Sequence, residues 1–314
     1  MKRLFTLLAA ALMTAAVASA QDVETFNAAV ETFNSGVLAR GDGNNVEALS
    51  MFKQALTMFE GCGEEGAEMV AKCKEVIPGT ILAIAKELIN NKDYDKALET
   101  LKEAEATAKD YNVEDVAAEA AELVPDALLR KGTTLVQAKN FADGAAALQE
   151  VIALQPENGK AYLLFGQALM NSGNLDGALE ALKAAAALGQ EGTANKLIGN
   201  IYLKQGQALL KGGKALDAAA AIENALLYVE NAGAYKLLAS SWMKAGKSAK
   251  ALDAYKKYLE ISPNAADAAD IMVTIAATAQ KAGDKATAIE YYSKLTGNAK
   301  YGETAKAQLA ALKK

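Results

Sequence analysis

Along this 314-residue chain, apolar and small residues recur at i, i+4 spacing and are broken by short polar turns. That spacing predicts amphipathic helices. The turns read Asn91-Lys92-Asp93, Ser172-Gly173-Asn174, Lys211-Gly212-Gly213, Ala245-Gly246-Lys247 and Ala282-Gly283-Asp284. Glycine there supplies the left-handed conformation that ends a helix. A longer period overlies the helical one. Gly132, Gly144, Leu148, Val151 and Pro156 are followed by Gly166, Ala178, Leu182 and Ala185, with 34 residues from Gly132 to Gly166 and 34 from Gly144 to Ala178. A fixed period of that length marks an array of two-helix units.

Seven units fall into register. One small residue per unit comes from Gly36, Ala85, Gly132, Gly166, Gly206, Ala239 and Ala276. A second comes from Ala48, Ala97, Gly144, Ala178, Ala218, Ala251 and Ala288, where two helices must cross closely. Four residues later stand Phe52, Leu101, Leu148, Leu182, Ile222, Tyr255 and Tyr292, expected to fill the space between units. Pro156 and Pro263 stand where a second helix must stop. The pattern resembles the tetratricopeptide repeat, with small residues at positions 8 and 20, an aromatic or apolar residue at 24, and often proline at 32. The resemblance implies an all-α, right-handed superhelical solenoid of helix-turn-helix repeats, and a role in binding. The units are placed at 29–62, 78–111, 125–158, 159–192, 199–231, 232–265 and 269–302, with a capping helix at 303–314 that an open-ended array needs. The first is the poorest match, because Thr32 and Ser35 replace bulky residues.

The steps between units are uneven. Extra residues ending in Glu75-Val76-Ile77-Pro78 and Glu122-Leu123-Val124-Pro125 precede the second and third units. Proline suits the first turn or a kink, so a kinked or broken longer helix is expected there. An insertion at Thr193–Ile198 is expected to do the same before the fifth.

Lys2-Arg3, an apolar run from Leu4 to Val17 and Ala18-Ser19-Ala20 read as a secretory signal over residues 1–20, cut near Gln21. The residue directly after Ala20 is Gln21 and not a lipid-accepting cysteine, and no later segment is apolar enough to span a bilayer. The expected product is soluble and exported to the periplasm or cell envelope. Its charge is uneven. Residues 21–150 carry 12 Lys+Arg against 24 Asp+Glu, residues 151–314 carry 19 against 14. This can simply solvate the outer faces, or it can favour differently charged partners at the two ends, including head-to-tail self-association. Nucleic acid does not fit so mildly basic a half.

In an exported chain Cys62 and Cys73 raise the question of a bridge. A helix begun at Glu64 would carry Cys73 about 13 Å along it, beyond disulfide reach. Gly61–Gly66 folding back along a helix begun at Ala67 would bring the two together. A disulfide and a pair of buried thiols both stay open. With no histidine, the chain lacks the commonest general base and a usable zinc set. The pairs Glu64-Glu65 and Glu114-Asp115 lie in solvated acidic stretches. No catalytic residue, metal or cofactor is expected.

The family resemblance implies that helix-A positions 5, 9, 12 and 13 line a partner-binding groove. Here these include Leu82, Lys86, Leu129, Thr133, Leu163, Gln167, Met170, Asn171, Leu203 and Gln207. Amides would hold an extended backbone while leucines take side chains. The expected function is a non-enzymatic scaffold or adaptor of the bacterial cell envelope for a protein or peptide partner. The alternatives are an assembly or chaperone-like factor for outer-membrane proteins and a self-associating structural protein.

Overall fold

The computed structural model describes residues 20–312, so the stretch read from sequence as a secretory signal, apart from Ala20, lies outside the described residues. Those residues form helices and turns without a strand, an all-α repeat fold divided into two compact units. The first, ending at Thr134, holds α1 (Ala20–Gly41), α2 (Asn45–Gly61), α3 (Ala67–Asn90), α4 (Tyr94–Asp110) and most of α5 (Glu114–Gln137). The second holds α6 (Phe141–Leu154), α7 (Gly159–Ser172), α8 (Leu175–Ala185), α9 (Glu191–Lys211), α10 (Ala215–Leu226), α11 (Ala232–Lys244), α12 (Ser248–Ile261), α13 (Ala268–Lys281), α14 (Lys285–Leu295) and α15 (Gly302–Leu312). Within each unit, most successive helices pack on one another as antiparallel pairs.

One turn chemistry joins helix A to helix B. Gly43, Lys92, Lys139, Gly173, Gly213, Gly246 and Gly283 all take positive φ. The next residue's N–H reaches back to the helix, as from Asp93 to Leu88 at 2.9 Å and from Lys247 to Trp242 at 2.8 Å. This closes the last turn of helix A on its own carbonyls. Lysine does at two turns what glycine does at five.

The small positions are buried at every register point. A Cβ added at Gly36, Gly166 or Gly206 would meet Phe52 at 2.9 Å, Leu182 at 2.7 Å or Ile222 at 2.6 Å. In these three pairs the large residue at position 24 seats on the glycine of its own pair, and Leu182 and Ile222 also share a core with helices of the following pair, Ile198 for the first and Leu238 for the second. The physical reason is that a missing Cβ opens a socket directly across the pair. In α1 and α2 this socket also brings Phe33 against Phe52, centroids 5.3 Å apart, and Phe26 edge-on to Phe59 at 5.4 Å.

The extra segments lengthen helix A without breaking it. α3 and α5 are each 24 residues long and run through Pro78 and Pro125. A mid-helix proline loses one backbone hydrogen bond. Here both prolines are buried, Pro78 between the fully buried Ile77 and Ile81. Tertiary packing offsets the local loss. Before α9 the chain leaves helical geometry at Leu188 and Gly189. The Leu188 carbonyl passes Gly159 so closely that a Cβ there would sit 2.4 Å from its oxygen.

Candidate protein-binding surfaces

In the second unit α7 touches α9 and α9 touches α11, so these A helices lie side by side. Leu163, Met170 and Leu203 are half-buried. Leu163 and Met170 pack against the core around Leu182 and Ile198, while Leu203 packs against the core around Trp242. Gln167 is half-buried, and Asn171 and Gln207 are exposed. Asn171 Nδ2 donates to the Gln167 carbonyl at 2.8 Å, which holds that amide over the helix end. The surface is a row of partly covered aliphatic side chains with amides beside them.

The row changes character at α11, where position 5 becomes Lys236. Its ammonium and the Tyr258 hydroxyl both donate to Asp267. The Lys236 hydrogen bond, then that from Tyr258, holds the Asp267 carboxyl below its ordinary value. Asp270 is held down in the same way by Lys300 and then Tyr301.

Candidates in the first unit are placed differently. Leu82 is 3% exposed and belongs to the core, so it lines no groove. Lys86 Nζ lies 2.6 Å from Glu119 in an exposed pair. Leu129 is half-buried and its carbonyl accepts the Thr133 hydroxyl at 2.7 Å, so that proton is used within the helix. Cys73 is fully buried, and burial followed by the charge of Glu60 pushes its thiol up to about 11. Cys62 is half-buried and its Sγ donates to the Met58 carbonyl at 3.3 Å. The structure carries the two as thiols.

The sequence reading missed a second surface on the opposite side of α7. A cavity of about 590 Å³ opens between α6 and α8. Its floor includes Tyr162, Phe165 and Leu169, and its walls include Ala142, Ala145, Ala146, Gly177 and Ala181. Phe165 is left partly exposed because alanines on the B helices are too short to cover it. The signal was present in Ala145-Ala146-Ala147, a run that reads as close packing when only the helical period is considered.

No helix among the described residues is long and apolar enough to cross a membrane, and none of their His, Cys, Asp or Glu form a metal-binding group. The tetratricopeptide-repeat family model matches residues 129–193 and 203–266, which supports grouping the chain with the tetratricopeptide-repeat proteins. No curated protein matches the chain. Among solved structures, the chain is similar to MamA at 21% identity, covering 58% of this chain and 92% of that one, TM-score 0.36. It is similar to the C-terminal part of a repeat protein from Cytophaga hutchinsonii at 19% identity, covering 70% and 81%, TM-score 0.36. A third is the TPR2AB domain of yeast Sti1, solved in complex with pHSP90, at 14% identity, covering 76% and 97%, TM-score 0.30. Proteins of this repeat family generally mediate protein–protein interactions and are generally non-enzymatic.

Proposed function

We propose that this protein is a non-catalytic scaffold of the bacterial cell envelope that receives a partner peptide or helix on the helix-A face of α7 and α9. The observation that carries this reading is the alternation there of half-covered Leu163, Met170 and Leu203 with Gln167, Asn171 and Gln207. Apolar side chains give area to bury, and amides give hydrogen bonds to a backbone without demanding a charge. The envelope location rests on Lys2-Arg3, the apolar run and Ala18-Ser19-Ala20. The test is Leu163→Glu with Gln167→Glu. Cross-linking in the native cells followed by mass spectrometry identifies the wild-type partner, and the double variant should lose it while its melting temperature stays close to wild type. Capture retained by a folded variant moves the partner to another face. Separately, N-terminal sequencing should find Gln21 or a close neighbour first, and Met1 on membrane-held protein overturns the export reading.

A further inference from the structure

The turns of the two units carry opposite charge in places where folding alone disfavours it. In the second unit α9, α11 and α13 run parallel, each separated from the next by one antiparallel helix, so their A–B turns share one edge. Those turns hold Lys211 and Lys214, Lys244 and Lys247, then Lys281 and Lys285. All six are exposed, and among the described residues none makes an ion pair. Asp217 and Asp284 are the acidic residues of these turns, and Asp284 accepts the Thr287 N–H at 3.0 Å. Lys211, Lys244 and Lys281 close helix C-termini, where a cation is favourable. That accounts for half of the lysines only.

Lys214 and Lys247 occupy the N-cap positions of α10 and α12 and make no capping hydrogen bond. The equivalent turns elsewhere place Asn44, Asp93, Asn140, Asn174 or Asp284 at the cap; Asn174 and Asp284 accept a helix N–H there while Asn44, Asp93 and Asn140 make no side-chain capping bond, so what sets the two lysines apart is their positive charge. An ammonium there faces the positive end of the helix dipole and leaves an N–H without its side-chain acceptor. Lys285 opens α14 at the same end. A repeated departure from local preference marks a surface used for something besides folding.

The first unit holds the complement. α2 and α4 run parallel on either side of α3, so their C-termini share one edge. The turns there hold Glu60, Glu64 and Glu65, then Asp110, Glu114 and Asp115, all exposed and without an ion pair among the described residues. Glu64, Glu114 and Asp115 open helices, a favourable place. Glu60 and Asp110 sit at the negative ends of α2 and α4. Nearby Lys74 lies over the Tyr111 ring, 5.5 Å from its centroid.

We infer that the lysine edge of one copy docks on the acidic edge of a second copy's first unit, joining chains head to tail. The argument is charge complementarity within one sequence. Residues 21–134 carry 11 Lys+Arg against 22 Asp+Glu, and residues 135–314 carry 20 against 16. Such an interface is heterologous, so each bound copy leaves one edge of each kind open. It is separate from the helix-A face proposed above.

Sedimentation of the chain from Gln21, at low and at high salt, tests this. The expected result is concentration-dependent association at low salt that high salt weakens. Lys214→Asn with Lys247→Asn should weaken it about tenfold while raising the melting temperature, because a good cap replaces a poor one. Glu60→Lys with Asp110→Lys should do the same from the other edge. Mixing a Lys214→Glu, Lys247→Glu chain with a Glu60→Lys, Asp110→Lys chain should restore an association, with the two chains in equal number, that neither shows alone. A chain that stays monomeric at low salt overturns the inference, as does association indifferent to either pair of changes. Loss from the lysine edge alone, with no effect of Glu60→Lys and Asp110→Lys, shows that another anionic surface is the occupant and overturns it too. Leu163→Glu with Gln167→Glu should leave self-association unchanged, which keeps failure of this inference distinct from failure of the helix-A reading.

Discussion

The two units solve the same packing problem with different materials. The first lengthens its A helices, α3 and α5, and accepts buried prolines inside them. Its core is built on phenylalanine, Phe26 against Phe59 and Phe33 against Phe52. The second mostly keeps shorter helices, uses glycine at Gly166 and Gly206 to bring them together, and fills its end with Trp242, Tyr255, Tyr258, Tyr291 and Tyr292. The repeat constrains where a small residue meets a large one. It leaves helix length, aromatic content and surface charge to vary. Differences between the units are therefore where function is to be sought.

The largest expected effect tests that shared constraint where backbone, which cannot yield, is the neighbour. A Cβ at Gly66 would stand 2.0 Å from the Phe59 carbonyl oxygen, and one at Gly159 would stand 2.4 Å from that of Leu188. Gly66→Ala in the first unit and Gly159→Ala in the second should each cost about 3 kcal/mol, the upper end of overpacking. Chemical denaturation measures both. An unchanged midpoint in either would mean that its turn is not held as closely as the structure has it.

Next come the small positions that face side chains. Gly166→Leu should cost about 1 to 3 kcal/mol, because Leu182 must shift off its socket, and Ala178→Leu about as much, because Ala178 is fully buried and the added volume has no room. A melting temperature equal to wild type in both would show that this pair has no close crossing.

A smaller effect separates the two kinds of A–B turn. Lys92 and Lys139 hold positive φ at a conformational cost that glycine avoids. Lys92→Gly should raise stability by about 1 kcal/mol. The mirror change, Gly246→Lys in the second unit, should lower it by about as much. Thermal melts of the two variants should move in opposite directions, and movement in the same direction refutes the common turn geometry.

The smallest effects concern protons. Asp267 has its pKa depressed in the folded chain by Lys236 and then Tyr258. Its contribution is present above the ordinary value of 3.8 and is lost as pH falls through the lower folded value. Asp267→Asn should therefore be less stable than wild type at neutral pH, with the gap closing in acid. In the first unit, the Cys73 thiol is raised to about 11 and fully buried. It should resist a thiol reagent in the native state and react on unfolding. Ready native modification of Cys73 would contradict its burial.

The repeat was legible from residues alone because its requirement is local and recurrent. Gly166 must lack a Cβ, Leu182 must be large, and the chain restates that relation about every 34 residues. The helix-A candidates were legible only as positions. Leu163 and Leu82 occupy the same register site, yet one stays half-open while the other is sealed into a core, because what covers a residue comes from a different helix. The cavity over Phe165 was hidden for the same reason, since a run of alanines reads as close packing until the space above it is seen.

The sequence by itself determined the helical period, the small-to-large pairing across each helix pair, the turn positions and the uneven charge. Each of these is a matter of residue size, backbone conformation or charge within one or two turns of chain. Only the tertiary structure decided that α3 and α5 run unbroken through Pro78 and Pro125, that Leu82 is core, and that lysines and carboxylates gather on separate edges. Those outcomes depend on burial and on which helix ends come together. A proline's local cost is fixed by its ring, but whether the helix continues is settled by the apolar surface that continuing buries.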